Sequence, residues 1–150
     1  MPKPDPQLLE PDRYPARFEL TTRFQDLDPN AHVNNVATAA LFEDARVRFD
    51  WGMGVREAMA AHGRKSMIVS LGIEYLGEMF YPAPVIAYVG SLGAGRSSWS
   101  IGAILAQEGR VAAFMRSTIV CVADGRPASI PESFLEEIRK SLIRLDEPVT

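Results

Sequence analysis

The sequence predicts an α+β fold, a long helix laid on an antiparallel sheet, and three observations carry that prediction. A period-2 alternation runs over residues 17–24, a single apolar stripe at four-residue spacing follows from Val33 to Phe49, and the chain from Ser66 to Ala123 is rich in β-branched and aromatic residues. The separators inside that last stretch are short and turn-like, which makes its strands antiparallel neighbours; parallel pairing needs a crossover on the order of a dozen residues. A helix with one apolar stripe has to bury it, and the concave face of the sheet is the large apolar surface on offer.

Taken in order, residues 1–16 read as a proline-rich arm outside the core, with Leu8, Leu9 and Tyr14 as its means of attachment. One domain, 17–145, follows. Phe18, Leu20, Thr22 and Phe24 alternate with Arg17, Glu19, Thr21 and Arg23 as in a half-buried strand, and its continuation delivers Asp26 and Asp28 to one side. Pro29 discourages helix at Asp28, so the chain turns there. Helix starts near Asn34 or Asn35, either a good N-cap, and buries Val33, Ala37, Leu41, Ala45 and Phe49 while Asp44 and Arg48 pair on the outside. Gly52 and Gly54 interrupt it, and a short second helix ends at His62-Gly63. Four strands, 66–78, 83–92, 97–107 and 110–123, come next. A closing amphipathic helix after Pro131 carries Phe134, Leu135, Ile138, Leu142 and Leu145.

The densest polar stretch is Asp26-Leu27-Asp28-Pro29-Asn30-Ala31-His32-Val33-Asn34-Asn35, which also holds one of the chain's 2 histidines. Such density is costly to bury without partners, so it marks either a solvated turn or a site. Asp28 is the candidate for chemistry. Asp26 either raises the Asp28 pKa by like-charge repulsion or faces water. His32 is read as a loop-fixing hydrogen-bonding group that can also orient a ligand, and Asn34 and Asn35 as caps, with Asn35 the better placed to touch the site. At the 93–98 hairpin, Arg96 with Ser97 and Ser98 is either a phosphate contact or a plain turn. Cys121 reads as a small buried hydrophobe.

Composition excludes several classes. The 150 residues carry 47% hydrophobic and 23% charged side chains, ordinary for one globular domain, and a net charge of -3 with scattered basic residues argues against a nucleic-acid partner. No apolar run approaches the ~20 residues of a membrane helix, and the N-terminus lacks a signal pattern. A single cysteine allows neither an intrachain disulfide nor a cysteine-based metal cluster, and the expected location is cytoplasmic.

The run from Asp26 to Asn35, with Phe42-Glu43-Asp44-Ala45-Arg46 after it, resembles the signature of hotdog-fold acyl-CoA thioesterases of the 4-hydroxybenzoyl-CoA thioesterase type. Gly95-Arg96-Ser97-Ser98 and the strand ending Val120-Cys121-Val122 take the places of similar turns and strands in that family, and the likeness spans residues 17–123. It implies a long central helix wrapped by a five-stranded antiparallel sheet, and a homodimer or dimer of dimers with active sites between subunits. It also implies a carboxylate at Asp28 that attacks an acyl-CoA or acyl-carrier-protein thioester or activates a water, with no metal and no cofactor. The carbonyl oxygen is expected to find N–H donors at the helix start near Asn34 and Asn35, or around Ser66. His32, Asn35, Ser66, Arg96, Ser97 and Ser98 are the expected substrate-binding residues. The chain departs from the family in having Ala31 where glycine is usual and no tyrosine near Thr38 or Leu41.

Rival motifs fit the residues less well. Asp26, Asp28 and Asn30 imitate the start of an EF-hand loop, but Ala31 replaces its glycine and Ala37 its glutamate. Hotdog hydratases space an aspartate five residues before a histidine, whereas Asp28 stands four and Asp26 six residues before His32, so a hydratase on the same fold is a disfavoured alternative. There is no Gly-x-Ser-x-Gly for a serine hydrolase. A non-catalytic hotdog module that binds acyl thioesters is the alternative from another class.

Overall fold

Small side chains decide how the long helix sits. In a computed structural model describing residues 3–149, helix α1 (Asn35–Gly52) buries Ala37, Leu41, Phe42, Ala45 and Phe49, and Ala45 is wholly enclosed at 0% exposure. An alanine at that point lets the helix axis approach the sheet closely, so larger neighbours interlock around it. Asn34 is the N-cap: its side chain accepts from the Ala37 N–H at 2.8 Å. A short helix α2 (Val55–Ala61) follows after Gly54, whose φ of 81° is the left-handed conformation that glycine adopts without strain.

The sheet is antiparallel throughout its long strands, β1 (Ala16–Leu20), β2 (Lys65–Tyr75), β3 (Val85–Ala94), β4 (Ser98–Gln107) and β5 (Arg110–Ala123), in the order β1-β3-β4-β5-β2. A two-residue strand β6 (Arg126–Pro127) turns back on the end of β5. Alternation sends Val85, Ala87 and Val89 of β3, Trp99, Ile101, Ala103 and Leu105 of β4, and Met115, Ile119 and Cys121 of β5 into one core with α1. Five long strands thus wrap one long helix. Among the described residues, no helix is long and apolar enough to cross a membrane.

The opposite face is also covered. Leu8 and Tyr14 of the arm pack with Ile104, Phe114 and Ile143, and the buried Tyr14 hydroxyl donates to the Leu8 carbonyl at 2.7 Å. The first two residues of the 1–16 arm lie outside the described residues. The tail lies so close that a Cβ on Gly90 would stand 2.6 Å from Ile143 Cγ1, which is why this position is glycine.

Two expected elements end early. The alternation over 17–24 does not continue as strand: β1 stops at Leu20, paired with Val85, because Pro84 and Pro82 beyond it offer no N–H to extend the ladder. The closing helix α3 (Glu132–Lys140) keeps Phe134 and Ile138 but not Leu142 and Leu145. There the backbone leaves the helix to exchange hydrogen bonds with Ser91, whose N–H donates to Ser141 at 2.8 Å and whose carbonyl accepts from Ile143 at 2.9 Å.

Replacing Ala45 by leucine overpacks the closest helix-sheet contact at a cost of about 1–3 kcal/mol. Thermal unfolding of Ala45→Leu is expected to show a lowered Tm; a parent-like melt would contradict the packing described for α1.

Candidate active site

The corner between β1 and α1 is tied together mostly by backbone. A 3-10 turn, Phe24–Asp26, replaces the expected extension of β1, so Asp26 and Asp28 do not share a side. Asp26 is only 6% exposed and faces neither water nor Asp28. Its carboxylate accepts from the Arg23 N–H at 3.1 Å and from the Arg23 guanidinium at 2.9 Å, and that guanidinium holds its pKa below the usual carboxylate range. Its carbonyl accepts the Asn34 N–H at 2.8 Å, so this residue braces the entry to α1.

Asp28 is half-buried and differently engaged. Oδ1 accepts from the Asn30 N–H at 2.9 Å and the His32 N–H at 3.1 Å, while Oδ2 has no hydrogen-bond partner among the described residues. The Asp28 N–H donates to the His32 carbonyl at 2.8 Å, closing a tight loop in which Ala31 takes φ 63°. That left-handed angle is one that favours glycine, because a Cβ costs about 1–2 kcal/mol in this region.

His32 bridges to the backbone of Phe80, its ring meets the Phe80 ring edge-on at 5.1 Å, and its Nδ1 lies 3.2 Å from the Glu78 carboxylate. Phe80 is itself clamped by the buried Gln107, which accepts its N–H at 2.8 Å and donates to its carbonyl at 2.7 Å. Val33 donates to the Met79 carbonyl at 2.8 Å. The loop carrying Asp28 is therefore pinned to the strand connection opposite it.

Asp28, His32 and Asn35 line one pocket of about 200 Å³ with Thr38, Tyr75 and Glu78. Sequence reasoning missed the last three. Tyr75, at the end of β2, brings its hydroxyl 3.5 Å from the Asn35 carbonyl and so presents a phenol at the helix start that has none of its own. The N–H groups of Asn35 and Val36 precede the intrahelical ladder and point outward from the positive end of α1. The pocket wall holds no lysine or arginine.

Ser66, Arg96, Ser97 and Ser98 lie elsewhere in the chain. Ser66 pairs with Cys121 at the start of β2, on the order of 30 Å from Tyr75 at ~3.3 Å per strand residue. Arg96, Ser97 and Ser98 form the β3–β4 hairpin at that same far end: the Ser97 carbonyl accepts from Cys121 at 2.7 Å and the Arg96 carbonyl from Ile130 at 2.8 Å. Within one chain the structure does not bring these four to Asp28.

Asp26→Asn removes the charge that Arg23 holds. Since the folded pKa is depressed, the charged pair stabilises the fold above the unfolded value of ~3.9 and loses that effect as pH falls through the folded pKa. The Tm deficit of Asp26→Asn relative to the parent is expected to be present at pH 7 and to shrink below about pH 4. Ala31→Gly, by contrast, is expected to raise the Tm, because relief of the left-handed strain exceeds the added chain entropy.

Comparison with known proteins bears on the fold and the family. No curated protein sequence matches significantly. Among solved structures, the chain is similar to a thioesterase from Thermus thermophilus complexed with coenzyme A and zinc, at 30% identity over 86% of this chain and 95% of that one, with a TM-score of 0.75. It is also similar to a predicted thioesterase from Bacillus stearothermophilus, at 25% identity over 86% and 97% of the two chains with a TM-score of 0.76. A Pseudomonas aeruginosa protein at 24% identity, covering 90% and 96%, shares the fold with a TM-score of 0.78. Among the described residues of this chain, no three His, Cys, Asp or Glu side chains come together to hold a metal. Residues 22–138, most of the chain and all of the corner just described, match the thioesterase-like superfamily, and to that family, in its hotdog fold, the chain belongs.

Proposed function

We propose that the chain hydrolyses acyl thioesters of coenzyme A, or of an acyl-carrier protein, with Asp28 as the acting carboxylate. The observation that carries this reading is the asymmetry of Asp28: one oxygen is fixed by two N–H groups, and the other is free in a pocket at the positive end of α1. A fixed carboxylate with one free lone-pair face is what attack or proton abstraction requires. Both routes use Oδ2, either on the carbonyl carbon directly or on a water that then adds to it. In direct attack the C–S bond breaks as an anhydride forms between the acyl group and Asp28, and water then cleaves that anhydride. In the water route the C–S bond breaks as water adds, and in both the thiol leaves with a proton and water supplies the oxygen of the free acid. The N–H groups of Asn35 and Val36 and the Tyr75 hydroxyl are the donors nearest the helix start for the carbonyl oxygen, where charge builds up during attack. The coenzyme A bound by the similar Thermus thermophilus thioesterase supports a CoA thioester as substrate.

The functional unit in this reading is a homodimer, or a dimer of dimers. Strand β2 pairs with β5 on one side only, and along it Met67, Val69, Leu71 and Tyr75 are exposed at 55%, 59%, 45% and 49%. A free apolar edge of this length is a pairing surface, and antiparallel pairing with its own copy closes it with two-fold symmetry. Light scattering is expected to give a dimer or tetramer at micromolar concentration.

Asp28→Asn keeps the oxygen that accepts from Asn30 and His32 and removes the charge. A panel of acyl-CoAs assayed by thiol release is expected to show at least a ~10²-fold loss of kcat. The Tm is expected to stay at the parent value. Undiminished hydrolysis by Asp28→Asn overturns the carboxylate mechanism, and a parent that binds acyl-CoAs without hydrolysing any of them makes the chain a binding module.

A further inference from the structure

A group of three cations without ion-pair partners among the described residues lies far from Asp28. A pocket of about 490 Å³ between α1, α2 and the start of β2 is lined by Asp50, Trp51, Arg56, Arg64, Lys65 and Ser66, with Arg46 at its wall. Arg46 is committed: it pairs with Glu43 at 3.0 Å and with the buried Asp50 at 2.9 Å. Burial raises the Asp50 pKa to about 6, although the Arg46 charge opposes that rise. The other three cations make no ion pair among the described residues. Arg56 stands 4.5 Å over the Trp51 ring, and Arg64 donates to Ser129 Oγ at 3.2 Å but keeps a buried Nε without a partner. Lys65 is exposed and free.

The dimer proposed above gives this pocket a place in the reaction, and the inference rests on that reading. When two β2 strands pair antiparallel about a two-fold axis near their middle, the Lys65–Ser66 end of one lies beside the Tyr75 end of the other. Tyr75 lines the Asp28 pocket. Each cationic pocket therefore opens next to the partner subunit's Asp28 pocket, on the side of the sheet that faces α1. The nucleotide end of a CoA thioester is held away from the reacting carbon by the whole pantetheine arm, so the group that reaches an adjoining pocket is the acyl end. The Asp28 pocket, with Asp28 and Glu78 and no cation, repels a negative charge, while the adjoining pocket attracts one.

We infer that the preferred acyl group carries an anionic distal end, such as an ω-carboxylate, which Arg64 and Lys65 of the partner subunit bind, with Arg56 adding to the field. Charge-assisted hydrogen bonds of this kind are stronger than neutral ones, and cations without carboxylate partners, the half-buried Arg64 and the exposed Lys65, have no ion pair to give up in making them. Ser66 joins the same wall, which gives it a role in binding that it cannot play within its own chain.

Glutaryl-CoA and valeryl-CoA have acyl chains of equal length and differ in the distal carboxylate, so the ratio of their kcat/KM values cancels any effect of the cations on CoA itself. The parent is expected to favour glutaryl-CoA by about tenfold or more, the scale of one charge-assisted hydrogen bond. Lys65→Glu and Arg64→Met are each expected to lower that ratio about tenfold. Lys65 has no structural partner to lose, so its variant reports on the pocket even if Arg64→Met is unstable. Calorimetric titration of Asp28→Asn with the two thioesters reads the same preference without turnover. A ratio near one in the parent, or a ratio unmoved by Lys65→Glu, overturns the inference while leaving hydrolysis intact. Preferential binding of glutaryl-CoA with no hydrolysis of either thioester upholds it and overturns the hydrolytic reading instead.

Discussion

The contact of α1 with the concave face of the sheet is the constraint on which the rest depends. Ala45 is wholly buried and Ala37 nearly so, and with side chains of that size the helix settles deep enough for Phe42 and Phe49 to be enclosed as well. Its depth fixes its N-terminus against the ends of β2 and β5, where Ala112 and Ala113 form the floor of the Asp28 pocket. The end of β2 is held there too, since the N–H groups of Leu76 and Gly77 both donate to the Ala112 carbonyl, at 2.8 and 3.0 Å. The pocket is thus a consequence of how a helix packs: its depth follows from alanine volume and its position from strand register.

Two aspartates two residues apart have become different groups because their surroundings differ. Asp26 is enclosed and paired with Arg23, which keeps it charged and makes it a brace. Asp28 spends one oxygen on loop N–H groups and leaves the other free. The loop that achieves this is strained at Ala31, and the strain is held by ties outside it: Gln107 to Phe80, Phe80 to His32, Val33 to Met79. In the proposed reaction, a carboxylate fixed in this way meets its substrate without first being ordered, which lowers the cost of reaching the reacting geometry.

The helix stripe, the antiparallel order and the polar corner were legible in the sequence because each rests on a local period or a local residue pattern. An asparagine cap at Asn34 or Asn35 follows from their chemistry, and the structure puts it at Asn34. What was not legible depended on distant partners. The alternation through Phe24 is a true strand pattern, yet β1 ends at Leu20 because prolines elsewhere in the chain end its partner. Leu142 and Leu145 fit a helical stripe, yet the backbone there bonds to Ser91. Tyr75 and Glu78 reach the site only because β2 runs its full length to the helix start, and no spacing in the sequence connects them to Asp28. Gln107 did leave a signal, a lone amide at the end of an apolar strand, whose burial requires it to tie down some backbone.

Charge is laid out along β2 with opposite sign at its two ends. Asp28 and Glu78 stand at the Tyr75 end, while Arg56, Arg64 and Lys65 stand at the Ser66 end without carboxylate partners. Within one chain this separation does nothing, because the ends are farther apart than the screening length of about 8–10 Å at physiological salt. Antiparallel self-pairing changes that by placing the positive end of each strand against the negative end of the other, whereas parallel pairing would set like charges side by side. In the dimer we propose, the apolar edge supplies the attraction, and the charges favour the antiparallel arrangement. In the proposed dimer, that arrangement joins each Asp28 to a cationic pocket its own chain does not provide.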